Sequence, residues 1–135
     1  GNLQKLIAEL GLESRVHMLG LRRDVTNILQ SLDIFVLPTH QEALGTAFIE
    51  AGATGLPVVA TAVDGVPEVV VDGETGILVP ARDVLALSGA ISRLLGDSQL
   101  RRCLGEAARR RVGREFSREV MAERMERLYL DLLAS

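Results

Sequence analysis

The chain has 135 residues, of which 47% are apolar and 3% aromatic, and its 15 Lys and Arg against 18 Asp and Glu give a formal charge of −3. Such a length suits one domain with a core of Leu, Val, Ile and Ala and excludes a disordered chain, while so mild a charge gives no case for nucleic acid or a membrane surface. The single cysteine, Cys103, excludes an internal disulfide and fits a reducing, cytoplasmic setting, and no apolar stretch reaches the length of a membrane span.

Residues 2–10 (NLQKLIAEL) place Leu3, Leu6, Ile7 and Leu10 on one helical face, and Gly11 reads as the stop. No signal peptide precedes this pattern, and a start inside an amphipathic helix is expected of a piece of something longer. The apolar run Val16 to Leu19, closed by Gly20, reads as a strand that contains His17 as a structural residue. Residues 22–32 are helical in pattern, with Val25, Ile28, Leu29 and Leu32 in register. Ile34 to Leu37 is a second strand, stopped by Pro38. A helix over 45–54 ends at Gly55 and Pro57, and Val58 to Ala62 is a third strand. The Gly- and Asp-rich stretch 64–76 holds a helical turn at 67–70, and Ile77 to Val79 is a fourth strand. Asp83 caps a helix over 84–95, Asp97 or Ser98 caps one to about 112, and Ser117 caps one to about 133. Strands that read as unbroken apolar runs are buried on both faces, and their alternation with helices means right-handed βαβ units. The expected fold is α/β: a Rossmann-like open parallel sheet flanked by helices.

Ligands of open α/β sheets lie beyond the carboxyl ends of the strands, here loops 20–23, 38–46, 62–68 and 80–82. The second leads into the helix that starts near Gly45. The first amides of a helix lack intrahelical partners and carry the positive end of its dipole, and Gly45 admits a ligand close to the backbone. Leu44, Gly45 and Thr46 therefore form a phosphate seat. Glu50, four residues after Thr46 on the same face, can accept both hydroxyls of a ribose. Glu42, at the lip of the loop, can accept hydroxyls of a sugar beside the phosphates. On spacing alone the alternative stands that this is an ordinary strand-to-helix turn with solvated acids.

Residues 38–83, PTHQEALGTAFIEAGATGLPVVATAVDGVPEVVVDGETGILVPARD, resemble the signature region of the family 4 retaining glycosyltransferases (glycosyl transferases group 1), which have the GT-B fold. Glu42 and Glu50 match the family's two glutamates, and Gly45 its glycine. Gly55, Pro57, Val58 and Val59 match the Gly-x-Pro-Val-Val step. Gly65 and Glu68 match the Gly-x-x-Glu turn, and Asp72, Gly73, Thr75 and Gly76 the Asp-Gly-x-Thr-Gly run. Upstream, 16–20 (VHMLG) is similar to the strand before the nucleotide-base loop. Leu44 replaces the usual Phe and Thr46 a usual Leu.

The resemblance implies transfer of a sugar from a nucleoside-diphosphate sugar to an acceptor hydroxyl, with retention and without a metal or other cofactor. It implies Glu50 on the ribose, Glu42 as the catalytic-site carboxylate on the donor sugar, the amides of Leu44 to Thr46 on phosphates and sugar, and Leu21 and Arg22 at the base. It further implies that residues 1–135 are a partial nucleotide-sugar-binding domain, the truncated half of a GT-B C-terminal domain. The first strand-helix-strand, with a cationic pair for the diphosphate, and the acceptor domain lie elsewhere, so the piece alone is expected to be inactive. The acceptor, a carbohydrate or a lipid-linked one, would be met through that other domain, at a cytoplasmic site that includes the membrane periphery.

Two missing strands would separate 16–19 from 34–37. Bare sheet edges then invite either direct pairing of those two segments or a homo-oligomer. The alternative function is a non-catalytic α/β module whose sheet mediates association. Nine of the fifteen basic residues lie between Arg101 and Arg127 against five Glu, and read as solvated helix faces rather than a nucleic-acid site. His40 is a loop residue near Glu42, exposed or reaching the sugar. Met121, Met125, Leu128 and Leu132 form a helical stripe that reads as core rather than a ligand box, and that in the longer protein would partly cover the missing domain. One Cys and two separated His give no zinc spacing.

Overall fold

The computed structural model of the chain describes residues 1–134. Three short, mainly apolar segments, β1 (Phe35–Leu37), β2 (Val58–Thr61) and β3 (Gly76–Val79), form one parallel sheet in the order β1-β2-β3. Phe35 stands opposite Val58 at one junction, and Val58 opposite Gly76 at the other. The helices are α1 (Asn2–Glu9), α2 (Val25–Gln30), α3 (Thr46–Ala53), α4 (Val66–Val69), α5 (Val84–Gly96), α6 (Ser98–Glu115) and α7 (Arg118–Ala134). The α/β class, the parallel sheet and the helices over 45–54, 84–95 and beyond are as the pattern predicts. Two caps are also as expected: Asp83 accepts the Ala86 amide and Asp97 that of Leu100, each at 2.8 Å.

The alternation of a strand divides the core in two. Val58 and Ala60 of β2 face a cluster with Leu29, Phe48, Ala51, Leu56, Val66 and Val69. Val59, between them, faces the opposite cluster with Val79, Ala90, Leu94 and Leu104. All four residues of β2 are buried, which is why this strand reads as a continuous apolar run. On the first face, α3 is clamped against α6 through small residues. A Cβ on Gly52 would stand 2.8 Å from Val112 Cγ2, and one on Gly105 would stand 2.0 Å from the Gly55 carbonyl oxygen.

The chain differs from its pattern at both ends. Residues 16–19 are not a strand: Val16, Met18 and Leu19 are exposed, and β1 pairs with β2 alone, so the direct pairing of 16–19 with 34–37 does not form. A strand owes its stability to a neighbour's backbone groups, and among the described residues no strand pairs with this run. His17 is consequently an exposed residue outside any strand. The Met121–Leu132 stripe is not core either, because α7 holds no buried residue and Met121, Met125, Leu128 and Leu132 are 45–63% exposed. α1 and its C-cap likewise leave Leu3, Leu6 and Leu10 in solvent. Among the described residues, no helix is long and apolar enough to cross a membrane.

Candidate functional site

At the carboxyl end of β1 the chain turns through Pro38–Leu44 and enters α3. Gly45 caps α3 with φ 76° and ψ 57°, a left-handed conformation in which glycine is unstrained. The amides of Phe48 and Ile49 reach back to the Gly45 carbonyl, at 2.9 and 3.4 Å. Those of Thr46 and Ala47 belong to the part of the first turn that has no intrahelical acceptor. The Gly45 N–H donates to Glu42 Oε1 at 3.1 Å, so a carboxylate already sits at this helix terminus. Glu42 is half-buried, whereas Leu44 and Thr46 are exposed.

The loop is braced from beneath by the end of β2 and the segment after it. The Thr61 hydroxyl, 3% exposed, donates to the Thr39 carbonyl, and the Thr39 hydroxyl donates to that of Gln41 at 2.8 Å. Asp64 Oδ2 accepts the Glu42 N–H at 3.1 Å, and the Glu42 carbonyl accepts the Gly65 N–H at 3.2 Å. A Cβ on Gly65 would meet the Ala43 carbonyl oxygen at 2.1 Å, so only glycine lets the two loops touch.

Glu42, Leu44, Gly45 and Thr46 are thus brought together. Glu50, exposed one turn further along α3, lines a groove of about 330 Å³ with Thr26, Leu29 and Gln30 of α2 and Arg109 of α6. Leu21 and Arg22 stand ahead of α2. Leu21 is 97% exposed, and Arg22 forms a two-toothed ion pair with Asp24 at 2.8 and 2.7 Å. That pair raises the Arg22 pKa and holds the Asp24 carboxyl below its ordinary range. Neither residue is tied to the 38–46 loop by any of these bonds.

His40 is exposed and lines a separate cavity of about 220 Å³ with Thr61, Arg82 and Asp83 at the carboxyl ends of the strands. Leu44 borders a third, largely apolar groove of about 430 Å³ with Ile49, Phe116, Met121, Met125 and Leu128. Among the described residues, no group of three or more His, Cys, Asp or Glu is placed to hold a metal ion. Asp64 and Arg109 were not singled out by spacing. The only signal for Asp64 is its position in a loop that open-sheet topology sets beside 38–46.

Comparison with known proteins follows the same lines. The chain is 35% identical over 96% of its length to N-acetyl-alpha-D-glucosaminyl L-malate synthase of Bacillus anthracis, of which it spans 34%. Its fold superposes with a TM-score of 0.89 on sucrose-phosphate synthase of Thermosynechococcus elongatus, at 38% identity, covering 98% of this chain and 34% of that one. It superposes with a TM-score of 0.90 on Anabaena HepE in complex with UDP-glucose, at 26% identity, covering 96% and 36%. The chain therefore spans about a third of the length of the proteins it matches. The model of the family described as "Glycosyl transferases group 1" matches residues 1–111, and the chain belongs to that family.

Proposed function

We propose that these residues are the nucleotide-sugar-binding part of a longer retaining glycosyltransferase. In this reading Glu50 holds the ribose hydroxyls, Glu42 accepts hydroxyls of the donor sugar, and the amides at Leu44 to Thr46 meet the diphosphate. Leu21 and Arg22 border the base. The bond from the anomeric carbon to the diphosphate oxygen breaks, and a bond to the acceptor oxygen forms on the same face. The departing phosphate takes the acceptor proton, so no metal is required. The first strand-helix-strand, its cationic pair and the acceptor domain belong to the rest of the polypeptide. Residues 1–135 alone are inactive in transfer, because charge developing on the leaving group lacks its counter-ions.

The observation that carries the reading is the Glu42 carboxylate on the Gly45 amide at 3.1 Å: the terminus of α3 takes an anionic oxygen. The UDP-glucose complex of HepE supports a nucleotide sugar as the ligand class. Carbohydrate or lipid-linked acceptors and a cytoplasmic, membrane-peripheral location complete the proposal.

The test is calorimetric titration of the full-length polypeptide with UDP, GDP and ADP. One nucleotide should bind saturably, and Glu50→Ala should weaken it by about tenfold or more, as expected for loss of hydrogen bonds to a charged group. Equal affinity in wild type and variant would remove Glu50 from the site. The second reading, a non-catalytic association module, draws on the open edge of β1 and on the apolar residues of α1 and α7 left in solvent. It predicts no nucleotide affinity and a concentration-dependent homo-oligomer in sedimentation velocity.

A further inference from the structure

Asp64 takes φ 44°, in the left-handed region that few side chains adopt. A glycine would make this turn at lower conformational cost. What the aspartate adds is its carboxylate, which spans 22 positions of sequence to accept the Glu42 N–H. The other ties between the two loops use backbone groups or the Thr61 hydroxyl. Glu42 is consequently held at both ends: its amide by Asp64, its carboxylate by the Gly45 N–H.

We propose that Asp64 is a positioning residue for the donor loop. By gripping the Glu42 amide it fixes where the Glu42 carboxylate stands over the mouth of α3. An arriving diphosphate then displaces that carboxylate from Gly45, and the Glu42 backbone does not move with it. The released carboxylate is left beside the sugar hydroxyls. This inference rests on the reading of Glu42 and Gly45–Thr46 as the donor seat. A carboxylate accepting from a backbone amide is a charge-assisted bond, stronger than a neutral one, and so suited to holding a loop while its other contact is exchanged.

The test compares Asp64→Gly, which keeps the turn and removes the acceptor, with Asp64→Asn, which keeps an acceptor oxygen. In the full-length polypeptide, Asp64→Gly should leave the unfolding midpoint unchanged or raised and speed exchange of the Glu42 amide by about tenfold or more. It should lower kcat for sugar transfer by about tenfold while changing nucleoside-diphosphate affinity less than about twofold. Asp64→Asn should recover most of both losses. A Glu42 amide as protected in Asp64→Gly as in wild type overturns the proposal whatever the ligand. So does an equal fall in kcat and nucleotide affinity, which would mark a loop that has simply collapsed. Failure of wild type to bind any nucleotide would instead sink the donor-seat reading, with the amide-exchange arm still deciding whether Asp64 holds Glu42.

Discussion

Gly45→Ala is expected to lose nucleotide affinity and to lower the unfolding midpoint by about 10 °C, and the two effects share one cause. At φ 76° an alanine pays about 1–2 kcal/mol for its Cβ. That Cβ would also lie 2.3 Å from Phe48 Cδ2 and 3.3 Å from Glu42 Cγ. Phe48 is 1% exposed and stacks edge-on against Phe35 with ring centroids 6.0 Å apart, so it cannot retreat without opening the core. Overpacking of that kind adds about 1–3 kcal/mol. The sum, about 3 kcal/mol, gives the stated shift for a domain of this size. The other escape is for residue 45 to leave the left-handed region, which swings its amide off the Glu42 carboxylate and misdirects the proposed anion seat. Gly73→Ala supplies the comparison: φ is 74°, but nothing lies within 4 Å of its Cβ. It should cost only the conformational part and leave nucleotide binding intact. Thermal melts and titrations of both variants check this, and equal melts would mean that Phe48 yields easily.

The parts of this fold that were legible in sequence are those fixed by nearby residues. Asp83 and Asp97 cap their helices three residues ahead of the amides they accept. Val58 and Ala60 against Val59 declared a strand buried on both faces. Gly45 marked the start of α3 because a residue in its conformation ends one regular element and begins another. The run 16–19 misled because its apolar pattern describes a strand with a neighbour, and strand pairing is a property of two segments. The Met121–Leu132 stripe misled because apolar spacing on a helix face does not by itself say how much of that face is covered. Within the proposed site, the placement of Glu42 beside Gly45 was local and readable. The Asp64–Glu42 bond was not, because sheet register brings those loops together across 22 positions.

The second support of the proposed seat is the packing of α6 behind α3, and here two substitutions on one helix should act in opposite directions. Gly105 and Gly113 both lie within α6, where alanine is favoured over glycine by about 0.5–1 kcal/mol. Helix propensity alone therefore predicts that both Gly→Ala changes stabilise. At Gly113 nothing lies within 4 Å of an added Cβ, and that prediction should hold. At Gly105 the Cβ would meet the Gly55 carbonyl oxygen at 2.0 Å and its carbon at 3.0 Å, with Pro57 Cδ at 3.5 Å. These are backbone and ring atoms, so no rotamer change relieves the contact. Gly55 is itself held at φ 81° between α3 and β2. α6 must then lift away from α3, and Leu104, Ala108 and Val112 lose part of their burial with it. Gly105→Ala should cost about 2–3 kcal/mol net in a urea melt, outweighing the propensity gain. Arg109 of α6 lines the same groove as Glu50, so a displaced α6 also alters the place proposed for the ribose. Nucleotide affinity should therefore fall in Gly105→Ala and stay unchanged in Gly113→Ala. Stabilisation by both alanines would mean that α6 meets α3 loosely and that α3 carries loop 38–46 without it.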